Sequence, residues 1–501
     1  MEAKNSGQKA AVRTEFRPAT ELLDLLRTKR ISSVDLLKLY LARIEKFNPR
    51  FNAVVAQDVE GAIRAARMAD EARARGKTTG PLHGLPITIK DSFEVAGMTA
   101  TCGIPTLANH RPERDADAVA RLRDAGAIIF AKTNLPEGAT DHQSYNPLFG
   151  VTRNPWNLDR TVGGSSGGAA AAIAAGLTAL ELGSDIGGSI RCPCHFCGVY
   201  GHKPSYGVIA LRGHVPPPPG ALLEMEMAVV GPLARSARDL ELALDIMAAP
   251  GTLEETAWSV KIPASRHNDL RDFRVALWAD ASAYPVDSAC VSAMNEYADD
   301  LRRLGVKVNA NARPEINTQQ SYDIYLAALV GILSAGAPPE LLEAFVAAGQ
   351  GLTRNDRSYP GRIARAVMPS FRQWAELSER REHLFRQWRQ FFTDFDVLLC
   401  PIMPTVAFPH DTKGSTLVDQ YTRTIIVDGK PRPYLDNLCW PGLITVANLP
   451  ATAVPTGRLV DGLPVGLQVV GPYLEDRTPL RFAQLVEEQM GGFVPPPAAL
   501  E

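Results

Sequence analysis

The chain has 501 residues, 45% of them hydrophobic, with 53 basic against 55 acidic side chains and a formal net charge of -2. That length is ample for a sizeable core and by itself allows roughly two to four domains. The balanced charge gives no support for binding nucleic acid or a membrane surface, and seven cysteines, an odd count in so long a chain, do not read as a disulfide framework.

Residues 1–16 mix Glu, Lys, Asn, Gln and Arg without an apolar run, unlike a signal peptide or membrane anchor, so the expected location is cytoplasmic. Residues 20–46 show helical periodicity in two segments, the second capped by Ser32 and Ser33 and carried by Leu36, Leu37, Tyr40, Leu41 and Ile44. An alanine- and arginine-rich helix follows over 55–75. Short apolar strands at 87–89, 128–131, 274–278 and 397–399 then alternate with helical stretches. The predicted fold class is α/β: one large domain with a central mixed, mostly parallel twisted sheet covered by helices on both faces. Its parts are a helical N-terminal segment (about 18–76), a core (about 77–250), a largely helical region (about 317–389) with Tyr325, Leu326, Leu329 and Ile332, and a return to the core (about 395–490). The run from Pro216 to Pro219 reads as a stiff loop forming a pocket wall or lid. Met225 and Met227 fit an apolar pocket or a half-buried strand equally well.

Two serines stand in a glycine-rich stretch, Gly163-Gly-Ser-Ser-Gly-Gly168 followed by Gly183-Ser-Asp-Ile-Gly-Gly-Ser189. Glycine permits positive φ and close backbone approach, so several N–H groups can converge on one point. A carbonyl under attack needs that arrangement for its developing negative charge. The amides of Ile186, Gly187, Gly188 and Ser189 are placed to supply it. A serine is a weak nucleophile unless a neighbour takes its proton, and Lys90 ends the apolar run Gly84-Leu-Pro-Ile-Thr-Ile-Lys90, where burial favours a neutral amine. Asp91, next in sequence, would favour the charged amine if it pointed the same way. Read alone, Gly-Gly-Ser-Ser-Gly-Gly also fits a flexible linker. Ala169 to Ala175 argues against that, as a small-residue helix whose N-terminus faces Ser165.

These blocks, with Ser189-Ile-Arg191 and Gly201-His-Lys-Pro-Ser205, resemble the amidase signature family. The resemblance extends to Lys132-Thr-Asn134, Asn146-Pro-Leu-Phe-Gly150, Asn154-Pro-Trp156, Gly231-Pro-Leu-Ala-Arg235, Asp396 to Pro401, Leu449-Pro-Ala451 and Gly462 to Gln468, so most of the chain is covered. It implies Lys90 as catalytic lysine, Ser165 as bridging serine on a cis peptide bond, and Ser189 as nucleophile. It also implies an acyl-enzyme mechanism without metal or organic cofactor. Gly138, Ala139 and Thr140 match the segment that approaches the acyl side of the substrate. Asp185 and Arg191 match charged positions beside the nucleophile and are expected to pair with each other or to cap the loop. Ser166 is expected to support it by hydrogen bonding.

Cys192, Cys194, His195 and Cys197, with His202 nearby, include plausible metal ligands, but all fall in one short segment without a second pair at zinc-finger spacing. No metal is expected; buried thiols are. The resemblance implies an amidohydrolase acting on small-molecule hydrophobic or aryl amides, and on esters or carbamates, which share the tetrahedral chemistry. A homodimer is compatible with these features. The competing reading is the glutaminase subunit of a tRNA-dependent amidotransferase, but that subunit typically carries Ser-Leu-Asp where this chain has Glu226-Met-Ala-Val-Val230.

Overall fold

A computed structural model describes residues 13–281, 283–337, 339–353, 355–413, 417–420 and 422–501; the start of the N-terminal stretch, residues 1–12, lies outside the described residues. Among the described residues eleven strands form one sheet. In chain order they are β1 (Val54–Gln57), β2 (Pro86–Lys90), β3 (Ile128–Thr133), β4 (Leu180–Asp185), β5 (Tyr200–Lys203), β6 (Val229–Ala234), β7 (Arg274–Leu277), β8 (Lys307–Asn309), β9 (Val397–Pro401), β10 (Ala451–Val460) and β11 (Leu463–Val470). Their spatial order is β1-β3-β2-β4-β6-β5-β10-β11-β9-β7-β8.

The four predicted strands are present as β2, β3, β7 and β9. Every residue of β2 and β3 is buried, including the polar Thr88, Lys90, Lys132 and Thr133, as expected of strands covered on both faces. The sheet is mixed, but its balance differs from the mostly parallel pairing predicted. Parallel pairs are β2–β3, β2–β4, β7–β8 and β7–β9. Between these two groups, the ladder from β4 through β6, β5, β10 and β11 to β9 is antiparallel. One cause is local. Asp461 and Gly462 both adopt positive φ (51° and 75°) between Val460 and Leu463, which pair across the turn. A two-residue Asp-Gly connection of this hand matches the twist of antiparallel strands.

Helices cover the sheet. Ser33–Phe51 starts where Ser32 caps the Asp35 amide and buries Leu36, Leu37, Tyr40 and Ile44 in the main core with Ile87 and Ile89. The all-alanine face of Gly167–Ala174 is buried throughout, and a Cβ at Gly168 would lie 2.4 Å from the Asn134 amide nitrogen, so only glycine allows that approach. A second core gathers Trp388, Trp440, Tyr322 and Tyr325 from the helices Thr318–Ala335, Phe371–Asp394 and Cys439–Thr445. Among the described residues no helix is long and apolar enough to cross a membrane. Lys90 and Asp185 end the neighbouring parallel strands β2 and β4, where Ile89 pairs with Leu182. Ligand sites in α/β sheets collect at such carboxyl ends.

Candidate active site

Lys90 is fully buried, with Nζ 2.6 Å from Ser165 Oγ and donating to Ser184 Oγ at 3.0 Å. The Gly164–Ser165 peptide bond is cis. Burial lowers the Lys90 ammonium to about 7, outweighing the opposite pull of Cys102, Asp185 and Glu181. Asp91 does not reach the same amine. Its carboxylate turns to Lys132 Nζ at 3.2 Å and accepts the Thr101 amide at 3.1 Å. Glu181 accepts hydroxyls from Thr88 and, at 3.0 Å, from Thr133. Burial pushes it up to about 8.

The second serine stands on the turn between β4 and the helix Arg191–Cys197. Asp185 organises that turn by accepting the amides of Gly188 at 2.8 Å and Ile190 at 3.1 Å. Arg191 clamps the same carboxylate with Nε at 3.0 Å and Nη2 at 2.8 Å, and reaches on to Gln468 Oε1 (2.9 Å) and Thr445 Oγ1 (2.8 Å). Burial alone would raise the Asp185 carboxyl; the Arg191 guanidinium outweighs it and holds the group well below the usual carboxylate range. Of the four amides expected from the sequence to receive an oxyanion, that of Gly188 is therefore engaged, while those of Ile186, Gly187 and Ser189 have no hydrogen-bond partner among the described residues. Tyr325 Oη donates to the Ile186 carbonyl at 3.1 Å and His142 Nε2 to the Gly187 carbonyl at 2.8 Å, which fixes the tilt of both peptides. Ser166 supports the turn from below, its amide donating to Ser189 O at 3.0 Å.

Ser189 is 7% exposed against 1% for Ser165, so it is the serine that a ligand can meet. Its Oγ makes no hydrogen bond among the described residues and faces a cleft. The cleft is lined by Ala139, Thr140, Asp141, His142, Ile186 and Gly187 from the loops around the serine turn, by Leu329 and Leu333 from the helix Thr318–Ala335, by Tyr434, Leu435 and Leu438 from the turn Tyr434–Leu438, and by Gln420. Gly138 sits one step back, at φ +60° in the turn that presents Ala139 and Thr140. Asp141, the one carboxylate among the described lining residues, is paired with Arg423 at 2.5 Å and accepts the Tyr434 hydroxyl.

Ser184, His142, Asp141 and Tyr325 carry polar roles that the sequence does not single out. His214 belongs with them, with Nε2 2.8 Å from Ser184 Oγ and Nδ1 donating to Pro216 O at 2.8 Å. The proline run is absent from the described cleft wall. Met227 is core and Met225 half-buried. Cys192, Cys194 and Cys197 are buried free thiols on the helix after Ser189, each pushed up by burial. His202 packs between Thr452 and Asp476.

The fold and its family define the class first: the protein is a hydrolase acting on carbon–nitrogen bonds. A family model described as Amidase matches residues 35–480, and the chain belongs to the amidase signature family. An indoleacetamide hydrolase of Bradyrhizobium diazoefficiens is 33% identical over 483 residues, covering 94% of this chain and 86% of the relative. A glutamyl-tRNA(Gln) amidotransferase subunit from Carboxydothermus hydrogenoformans is 31% identical over 494 residues, covering 94% and 97%. A solved bacterial aryl acylamidase of the amidase signature family shares the fold with a TM-score of 0.79 at 24% identity, over 95% of this chain and 96% of that one.

Proposed function

We propose that this protein is a serine amidohydrolase of hydrophobic or aryl amides, with esters and carbamates as further substrates, working through an acyl-enzyme on Ser189. The observation that carries the reading is the 2.6 Å contact between buried Lys90 and Ser165. Neutral Lys90 takes the Ser165 proton while Ser165 takes that of Ser189, whose Oγ attacks the carbonyl carbon. The amides of Ile186, Gly187 and Ser189 receive the oxyanion. Run in reverse, the relay hands the proton to the departing amine, and the C–N bond breaks. Water then repeats the cycle on the ester, releasing acid and free Ser189. Ser165 Oγ and Ser189 Oγ make no hydrogen bond to each other among the described residues, so the relay requires the two hydroxyls to close to hydrogen-bond distance in the substrate complex.

The leucine-lined wall favours an apolar acyl group. Relatives named as amidotransferase subunits bring a glutaminase reading with them. Free glutamine brings an ammonium and a carboxylate that need charged partners, yet the one carboxylate of the described wall, Asp141, is already paired with Arg423. The test is to incubate the purified protein with acetanilides, aliphatic amides, p-nitrophenyl esters, aryl carbamates and glutamine, and to locate a fluorophosphonate adduct by mass spectrometry. Turnover of aryl amides with label on Ser189 is expected. Turnover of glutamine alone would overturn the substrate class, and a label elsewhere the nucleophile.

A further inference from the structure

A histidine outside the proposed relay touches it through one hydroxyl. His214 Nδ1 lies 2.8 Å from the Pro216 carbonyl, its Nε2 2.8 Å from Ser184 Oγ, and Ser184 Oγ 3.0 Å from Lys90 Nζ. A carbonyl oxygen can only accept, so Nδ1 carries a proton. In a neutral imidazole Nε2 must then accept, and the hydrogen it accepts is that of Ser184. With its proton committed to His214, Ser184 offers Lys90 only lone pairs. A neutral amine has two N–H groups and one lone pair. Giving one N–H to Ser184 fixes its rotation and leaves the lone pair free for Ser165, 2.6 Å away.

We infer that His214 is a positioning residue, setting the direction of the Ser184 hydroxyl so that Lys90 aims its lone pair at Ser165. This rests on the Lys90–Ser165 reading above. Reversing the chain would matter. If Nε2 carried a proton, Ser184 would donate to Lys90 instead and occupy the lone pair needed by Ser165. Burial keeps His214 neutral, lowering it to about 3. The ring is further held edge-on by Phe93, with centroids 5.0 Å apart. Among relay-based mechanisms the device resembles a general base fixed by a third group.

The test is a cycle of His214→Leu, Ser184→Ala and the double variant, with His214→Gln as the conservative replacement, whose amide can donate to Pro216 O and accept from Ser184. Each single variant is expected to lower kcat about tenfold at unchanged KM, the double variant no further, and His214→Gln to recover most of the loss. Losses that multiply in the double variant, a glutamine no better than leucine, or wild-type kcat in Ser184→Ala would overturn the inference. If His214→Leu does not fold, Ser184→Ala and His214→Gln still decide it. Full activity in Lys90→Ala would instead bring down the relay itself, so the two failures are distinguishable.

Discussion

Asp91 and Lys132 form a buried ion pair at 3.2 Å, and through it the carboxylate next to Lys90 in sequence is answered by a different lysine. Lys90 is thereby left with burial as its main influence and sits near 7. With the neutral amine as the base of the proposed relay, kcat/KM is expected to rise with pH through about 7 and then level off. Lys132→Met strands the Asp91 charge, which then turns its field on Lys90 and favours the ammonium. The rise should move up by about one pH unit, since an opposite charge nearby is worth one to three units. Its midpoint, read from kcat/KM between pH 5 and 10, is the check; an unmoved midpoint would refute the assignment of Asp91 to Lys132.

A buried lysine held near 7 costs stability wherever the unfolded chain would bind a proton that the folded chain refuses. The ordinary value is 10.5, so the unfolded state holds more protons between 7 and 10.5 and the wild type gains stability as pH rises through that window. Lys90→Met removes the cost. Its advantage in melting temperature over the wild type should be full below pH 7 and fade to nothing near 10.5, while turnover is lost. Thermal melts of both proteins across that range test it, and a pH-independent difference would show that Lys90 is not held neutral.

Gly188 stands at φ +103°, and a Cβ there would lie 2.8 Å from Pro441 Cγ. Gly188→Ala is therefore expected to push the turn off the helix Cys439–Thr445, lowering kcat by about two orders of magnitude through misplaced oxyanion donors at a modest stability loss of about 1–3 kcal/mol. Ser189 should also label more slowly with a fluorophosphonate. Wild-type labelling would mean that the turn tolerates the methyl group without moving the donors.

Strands buried on both faces, such as β3 with Ile128, Ile129, Phe130 and Ala131, announce themselves as apolar runs, which is why they were legible. The antiparallel centre was not, because β4, β5 and β6 contain Glu181, Gly183, His202, Lys203, Gly231 and Pro232, whose polarity and backbone freedom break any strand pattern. Asp461-Gly462 did carry a hairpin signal. In the candidate site, Lys90 and Ser165 stood out because glycine and an apolar approach surround them in sequence. Ser184 sits inside the same block, but its partner His214 is 30 positions further on and arrives by a loop, so nothing local marks the pair. The leucine-lined wall of the cleft comes from helices whose leucines look in sequence like any buried face.

That wall supports the last expectation. Leu329 and Leu438 reach the cleft from separate elements, and Leu438 Cδ2 lies 3.0 Å from where a Cβ on Gly187 would stand, beside the oxyanion amides. If the acyl group of the substrate packs against these side chains, removing three carbons from either should weaken binding of bulky acyl amides and leave acetyl amides nearly untouched. Leu329→Ala and Leu438→Ala are each expected to lower kcat/KM for an arylacetyl or long-chain anilide by about 10–200-fold, the range for lost apolar contact in a pocket. A ratio of kcat/KM for bulky over acetyl anilides that stays constant in both variants would remove this wall from the acyl site and place the acyl group elsewhere in the cleft.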